Sequence, residues 1–306
     1  MKEVLVLGGT GMLGSMVADV LSRDPELHVR ATARDAGLAR RFAERASRVE
    51  WSLYDAAMDD ERQLEITVNG AAWVVNCIGL TKPYAHDGNA AEVRRAIRIN
   101  SEFPFELAAV VARREAKVIQ IATDCVYSGR QGGYSESAVH DALDVYGKTK
   151  SLGEVPSPLF RLLRASIIGP EPKAFVFLLE WFRRQAAGAQ VRGFVHHLWN
   201  GVTTLHFARL ALGIIHHDSA PAALCHVLPA APVSKAELLG TFAKSFGRGD
   251  IAIEPVAAGT AVDRTLATDD PARNRALWEA AGYDEPPTIP QMLDELAAFD
   301  YHFANC

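Results

Sequence analysis

The chain alternates short apolar runs with segments whose apolar positions recur every three or four residues. Runs at 3–7, 28–33, 49–51, 73–78, 117–122 and 159–168 are apolar almost throughout, as strands buried on both faces are. Between them, 14–22, 36–46 and 91–114 carry the helical period. Buried strands joined by helix-length segments predict parallel β-α-β units. Right-handed crossovers then give a doubly wound α/β sheet.

The regularity breaks at Gly169-Pro170-Glu171-Pro172, a turn-rich boundary. A helix is predicted at 175–187. The run 196–204 leads into another helix at 205–216, and 222–228 is expected to add a strand to the main sheet. From Ser234 onward the pattern predicts a helix, a strand at 251–256 and a last helix at 289–298. The expected organisation is interleaved. Residues 1–169 and about 198–230 form the sheet domain, and about 170–197 with 231–306 form a smaller α/β lobe.

Composition narrows the class. Of 306 residues, 49% are hydrophobic and 23% charged, which excludes disorder. A net charge of -5 argues against a nucleic-acid partner. No apolar stretch is long enough for a membrane span. Cys77, Cys125, Cys225 and Cys306 contain no C-x-x-C pair, so neither a zinc knuckle nor a disulfide framework is expected. The start MKEVLVLGG reads as a buried strand, not a signal peptide, and a cytoplasmic protein is expected. His196-His197 and His216-His217 have no acidic partner at ligand spacing, so no metal site is expected. Met12 and Trp51, Trp73, Trp181 and Trp278 read as core residues.

The first run ends in Gly8-Gly9-Thr10-Gly11-Met12-Leu13-Gly14 and opens a helix. Glycines at 8, 11 and 14 suit a dinucleotide cradle: one for the tight turn, one for close approach of the pyrophosphate, one for helix–strand packing. The helix N-terminus then faces the phosphates with unpaired N–H groups. This identifies an NAD(P)-binding Rossmann fold. The second run ends Ala33-Arg34-Asp35. Arg34 stands where a cation would meet a 2′-phosphate, favouring NADP(H) over NAD(H), with Asp35 as counter-evidence. Arg40, Arg41 and Arg45 follow on a helix that is otherwise a solvated face. Asp55 stands near the adenine edge, or serves as a loop or cap aspartate.

Tyr146 and Lys150 lie four residues apart, on one face of a helix. A phenol with a pKa of about 10 is a poor proton shuttle at neutral pH. A nearby ammonium is expected to draw it down. Thr123 closes the run Ile119-Gln120-Ile121-Ala122 at the carboxyl edge of the sheet, where such folds bind ligands.

With these motifs the chain resembles the extended short-chain dehydrogenase/reductases, and within them the dTDP-4-dehydrorhamnose reductase group of nucleotide-sugar reductases. The likeness rests on GGTGMLG at 8–14, NCIG at 76–79, IATDCVYSGRQGGYSE at 121–136, VYGKTKSLGE at 145–154 and LLRASIIG at 162–169. WNGVTTL at 199–205 and VDRTLATD at 262–269 are weaker matches. It implies NADP(H)-dependent reduction of the 4-keto group of a nucleoside-diphosphate (NDP) 6-deoxyhexose. Thr123, Tyr146 and Lys150 fall on the catalytic triad. Cys77, Ile78 and Gly79 fall beside the cofactor, and Asn100 on the helix asparagine that helps hold a water near the lysine. Trp199, Asn200, Arg192 and Arg264 are candidates for the nucleotide-sugar pocket, the two arginines toward the diphosphate. The likeness also leaves room for a homodimer.

Departures set the alternatives. Sugar dehydratases carry Thr-Asp-Glu where this chain has Thr123-Asp124-Cys125, which disfavours dehydration. Cys125 falls where GDP-fucose synthases have an epimerisation base, so it reads either as a substrate-wall residue or as that base. The expected partner histidine is absent from 170–178, and the family's C-terminal Pro-x-Trp is replaced by Glu285-Pro286-Pro287-Thr288. An epimerase or epimerase-reductase is therefore one alternative. A non-catalytic NADP-binding regulatory subunit is another, since the same fold serves that role.

Overall fold

The computed structural model describes residues 1–218 and 224–304. The first half runs β1 (Lys2–Leu7), α1 (Met12–Ser22), β2 (Leu27–Ala33), α2 (Ala36–Ala43), β3 (Val49–Leu53), α3 (Glu61–Val68) and β4 (Trp73–Asn76). It continues with α4 (Ala90–Ala96), α5 (Phe103–Ala112), β5 (Lys117–Ala122), α6 (Val145–Leu152) and β6 (Phe160–Arg164). The second half holds β7 (Ile167–Ile168), α7 (Leu178–Arg183), β8 (Gln190–Phe194), β9 (Leu198–Trp199), β10 (Val202–Thr203) and α8 (Thr204–His217). Then come β11 (Leu224–His226), β12 (Val233–Ser234), α9 (Lys235–Ser245), β13 (Ala252–Val256), α10 (Pro271–Ala280) and α11 (Ile289–Ala298).

Seven strands form one parallel sheet in the order β11-β6-β5-β4-β1-β2-β3. The order reverses between β1 and β4, and the glycine turn after β1 opens at that crevice. Val4 and Val6 of β1 pack into one core with α1 and α8, while Leu5 and Leu7 pack into a second with α3 and α5. Burial on both faces is why these strands are apolar runs and not alternating ones. Three two-stranded ribbons complete the second half: β7 with β10, β9 with β12, and β8 with β13. Among the described residues no helix is long and apolar enough to cross a membrane.

The structure corrects several expectations. The segment 91–114 is not one α-helix: α4 and α5 are joined by a π-helical turn, Ile97–Glu102. Pro104 explains the break, because it has no N–H to donate to the Asn100 carbonyl one turn earlier. The run 159–168 splits at Ala165-Ser166, where the chain leaves the sheet to form β7. The helix expected at 175–187 shortens to α7, and Trp181 is 41% exposed because that helix buries Leu179, Glu180 and Phe182 on the opposite side. Met12 is only half-buried, at the rim of the glycine turn. The strand expected at 222–228 is described as β11, and its first two positions, with Cys306, lie outside the described residues.

Two glycines set opposite tests of this packing. A methyl group at Gly14 would stand 2.2 Å from the Gly8 carbonyl oxygen, so Gly14→Ala is expected to destabilise by about 1–3 kcal/mol. Gly240 lies inside α9 with nothing near a methyl group, so Gly240→Ala should stabilise by about 0.5–1 kcal/mol. Denaturant midpoints of the two variants check both signs.

Candidate active site

The glycine turn is shaped for an anion. Gly8 adopts φ +78°, and its N–H donates to Thr32 Oγ1 at 2.9 Å, tying the turn to β2. A methyl at Gly11 would meet only the Gly8 oxygen at 3.4 Å, so this position stays open to a ligand. Gly11 caps α1 with no side-chain hydrogen bond, and the first turn carries no acidic residue. The first-turn amides therefore keep their unpaired partial positive charge. This donor set fits a dinucleotide pyrophosphate lying across Thr10–Gly14. Ile78 packs 3.0 Å from where a Gly8 side chain would begin, which brings Cys77, Ile78 and Gly79 to the same edge.

Arg34 is exposed just beyond β2. Asp35 is committed elsewhere: its carboxylate accepts from the Leu38 N–H at 2.8 Å and caps α2. Arg40 and Arg41 lie in the last turn of α2. Asp55 shapes a turn, accepting from the Ala57 N–H at 2.9 Å. Sequence reasoning missed Lys173, whose ammonium donates to Thr10 Oγ1 at 3.2 Å from 163 positions away. No periodicity or motif marks such a contact.

Tyr146, Lys150 and Thr123 are placed by a set of buried ties. Asn76 Nδ2 donates to Gln120 Oε1 at 2.9 Å, and Gln120 Nε2 donates to the Gly153 carbonyl at 2.9 Å. This chain links β4, β5 and the end of α6. Asn100 grips Leu80 through both its main-chain groups, at 2.8 and 3.0 Å, and donates to Thr149 Oγ1 at 3.2 Å. The other end of α6 is fixed by Asp144, which accepts from the Gly147 N–H at 2.8 Å, and by Asp87, which accepts from the Val145 N–H at 2.6 Å. Gly147 lets the helix close against β5's end, since a methyl there would stand 2.4 Å from the Cys125 carbonyl oxygen.

As a result Tyr146 lies close enough to Thr123 for that hydroxyl to act on its phenol, and Lys150 Nζ donates to the Ile121 carbonyl at 3.1 Å. Burial pushes the Tyr146 phenol above its usual range, with Cys125 and Asp124 adding to the effect. The expected downward pull of Lys150 on the phenol is not what governs it. Burial lowers Lys150 to about 8, while Glu154 and Cys77 oppose the shift. The same burial raises the Cys77 thiol.

Cys125 is half-buried beside Thr123, whose hydroxyl accepts its N–H at 3.2 Å. Burial and the neighbouring Asp124 push the thiol up to about 12, so it is held as a thiol at neutral pH. Arg264 donates to the Tyr127 carbonyl at 2.9 Å and, with Tyr127, Arg130 and Asp144, lines a cavity of about 380 Å³. Trp199 is buried and donates to Ser166 Oγ at 2.9 Å. Asn200 is spent on the Leu266 main chain, donating at 2.7 Å and accepting at 3.0 Å. Arg192 stands exposed on β8, and no contact joins it to the Thr123–Tyr146 pair. His196 and His197 bond the Ala258 and Thr260 carbonyls, and no metal cluster occurs among the described residues.

Lys235 was not anticipated. The Ser234–Glu237 capping box starts α9 and sets Lys235 in its first turn. Its ammonium lies 5.6 Å over the Trp199 ring, within electrostatic reach of Asp124 and Cys125, and burial lowers it to about 8. Only the pairing of β9 with β12 reveals this placement.

Residues 1–159 match the family model described as the RmlD substrate binding domain. Over 151 residues the chain is 32% identical to a dTDP-4-keto-6-deoxy-D-glucose reductase of Streptomyces niveus, an overlap of 49% of this chain and 45% of that protein. The chain spans about half the length of the curated relatives it matches. A dTDP-4-dehydrorhamnose reductase of Bacillus anthracis in complex with NADP superposes with TM-score 0.71 at 17% identity, over 97% of this chain and 98% of that one. A UDP-glucuronic acid 4-epimerase of Bacillus cereus in complex with UDP-glucuronic acid and NAD superposes with TM-score 0.74 at 16% identity, over 99% and 98%. At such identities the superpositions establish the Rossmann fold. With its family model matched over residues 1–159 of 306, the chain belongs to the RmlD substrate binding domain family.

Proposed function

We propose that the chain is an NADPH-dependent reductase of the 4-keto group of an NDP-6-deoxyhexose. One observation carries the reading: Thr123, Tyr146 and Lys150 meet at the carboxyl end of β5, beside a glycine turn built for a pyrophosphate. The name of the Streptomyces niveus relative supports the substrate class. Arg34 and the committed Asp35 support NADPH over NADH.

When bound, NADPH supplies the hydride. Thr123 Oγ1 and Tyr146 Oη orient the substrate carbonyl oxygen. The high phenol pKa keeps Tyr146 protonated at neutral pH, ready to give its proton to the oxygen as charge develops there. The Lys150 ammonium stabilises the phenolate that remains. Segments 170–197 and 231–306 supply the sugar-nucleotide lobe, and from it Arg264 and Lys235 both act electrostatically on Asp124. A Cys125 thiol at about 12 is a poor carbon-acid base, which supports reduction without epimerisation. The complete catalytic trio supports an enzyme over a regulatory subunit.

Tyr146→Phe is expected to lower kcat about 100-fold or more, with NADPH affinity changed less than about twofold. Stopped-flow binding and steady-state turnover check the two halves; full residual turnover contradicts the mechanism. The ammonium of Lys150 is the working form, and burial brings it to about 8. Activity is therefore complete below that pH and lost above it. A profile of kcat/KM for NADPH in the free enzyme should fall as pH rises through about 8.

A further inference from the structure

The loop between β7 and α7 reaches back to the glycine turn. Lys173 stands on it, half-buried, with its ammonium on Thr10 Oγ1 at 3.2 Å. Arg34 and Arg41 lie within electrostatic reach, and both disfavour the Lys173 charge. Asp35 alone opposes them, and its carboxylate is held at the α2 N-terminus. Neither arginine makes a hydrogen bond or ion pair among the described residues. Lys173 is thus half-buried in the field of two further cations, with Asp35 the one anion acting on it. Such an arrangement is stable when an anion sits between them.

The loop is held in a costly shape. Ala174 and Phe175 both adopt left-handed backbone, φ 73° and 56°, which disfavours residues with a Cβ. The Glu171 carboxylate pins the bend, accepting from the Val176 and Phe177 N–H groups at 3.1 and 2.7 Å. This bend carries Lys173 across to the cofactor side.

We propose that Lys173, with Arg34 and Arg41, forms the pocket for the 2′-phosphate of the dinucleotide, so that a loop outside the nucleotide fingerprint reads the cofactor. The proposal rests on the reading of the chain as a dinucleotide enzyme. A phosphate dianion matches three cations and the Thr10 hydroxyl. A plain ribose diol offers only neutral hydroxyls, which a carboxylate binds better.

Calorimetric titration of the full chain with 2′,5′-ADP, 5′-ADP, NADPH and NADH tests it. In Lys173→Met, affinity for 2′,5′-ADP should fall about tenfold, the loss of one charge-assisted contact. Affinity for 5′-ADP should change less than about twofold. Lys173→Arg should retain most of the binding, which separates a lost charge from a misfolded loop. Equal losses for both nucleotides, or none for either, overturn the proposal. Wild-type protein that binds NADH as tightly as NADPH overturns it and the NADPH preference, while leaving the reading as a dinucleotide-dependent 4-keto reductase standing. Wild-type protein that binds neither dinucleotide overturns the functional reading itself.

Discussion

The position of one short helix decides what the site can do. α6 carries both Tyr146 and Lys150, and it reaches Thr123 only by lying almost in contact with the end of β5. Two glycines permit this. A methyl at Gly147 would strike the Cys125 carbonyl, and one at Gly153 would come within 1.8 Å of the Asn100 carbonyl oxygen. That second carbonyl belongs to the π-helical turn, where Pro104 cannot donate. Asn76, Gln120 and Asn100 then tie α6 to the sheet through buried amides. Leaving one such partner unsatisfied costs about 1–3 kcal/mol, so the helix has little freedom to drift.

Burial does the electrostatic work in this frame. It raises the Tyr146 phenol and lowers the Lys150 ammonium. Both shifts disfavour charge. A phenol that keeps its proton is suited to donating it, which is the direction reduction requires. Cys125 follows the same rule, and its raised thiol separates it from the thiolate bases found where cations dominate. Deeper in, the fully buried Arg164 on β6 is satisfied by Glu154, His140, His226 and Tyr127, so the sheet edge beneath the substrate wall carries no unpaired charge at its guanidinium ends.

Much of this was legible in the chain. Strands covered on both faces leave an apolar run, and β1, β2 and β5 were therefore visible nearly to the residue. The glycine turn and the Tyr146–Lys150 spacing are local patterns, so they could be read as such. What depends on distant contacts could not. Arg164, a charged residue inside an apolar run, gives no sign of its buried partners. The π-helical turn follows from one proline and one close approach across α6. Trp181 read as core by its chemistry, yet the short α7 turns it outward. Lys173 and Lys235 are two of eight lysines, and only the folded chain brings them to the crevice.

Hydride transfer to a keto carbon is the central claim, and isotopic labelling tests it most directly. The enzyme would be given NADPH carrying deuterium at the transferred position of the nicotinamide, with dTDP-4-keto-6-deoxyglucose in ordinary water. The account predicts a reduced sugar nucleotide bearing one deuterium at C4, by mass spectrometry and NMR. A product without deuterium at that carbon, formed at the same rate, would contradict it.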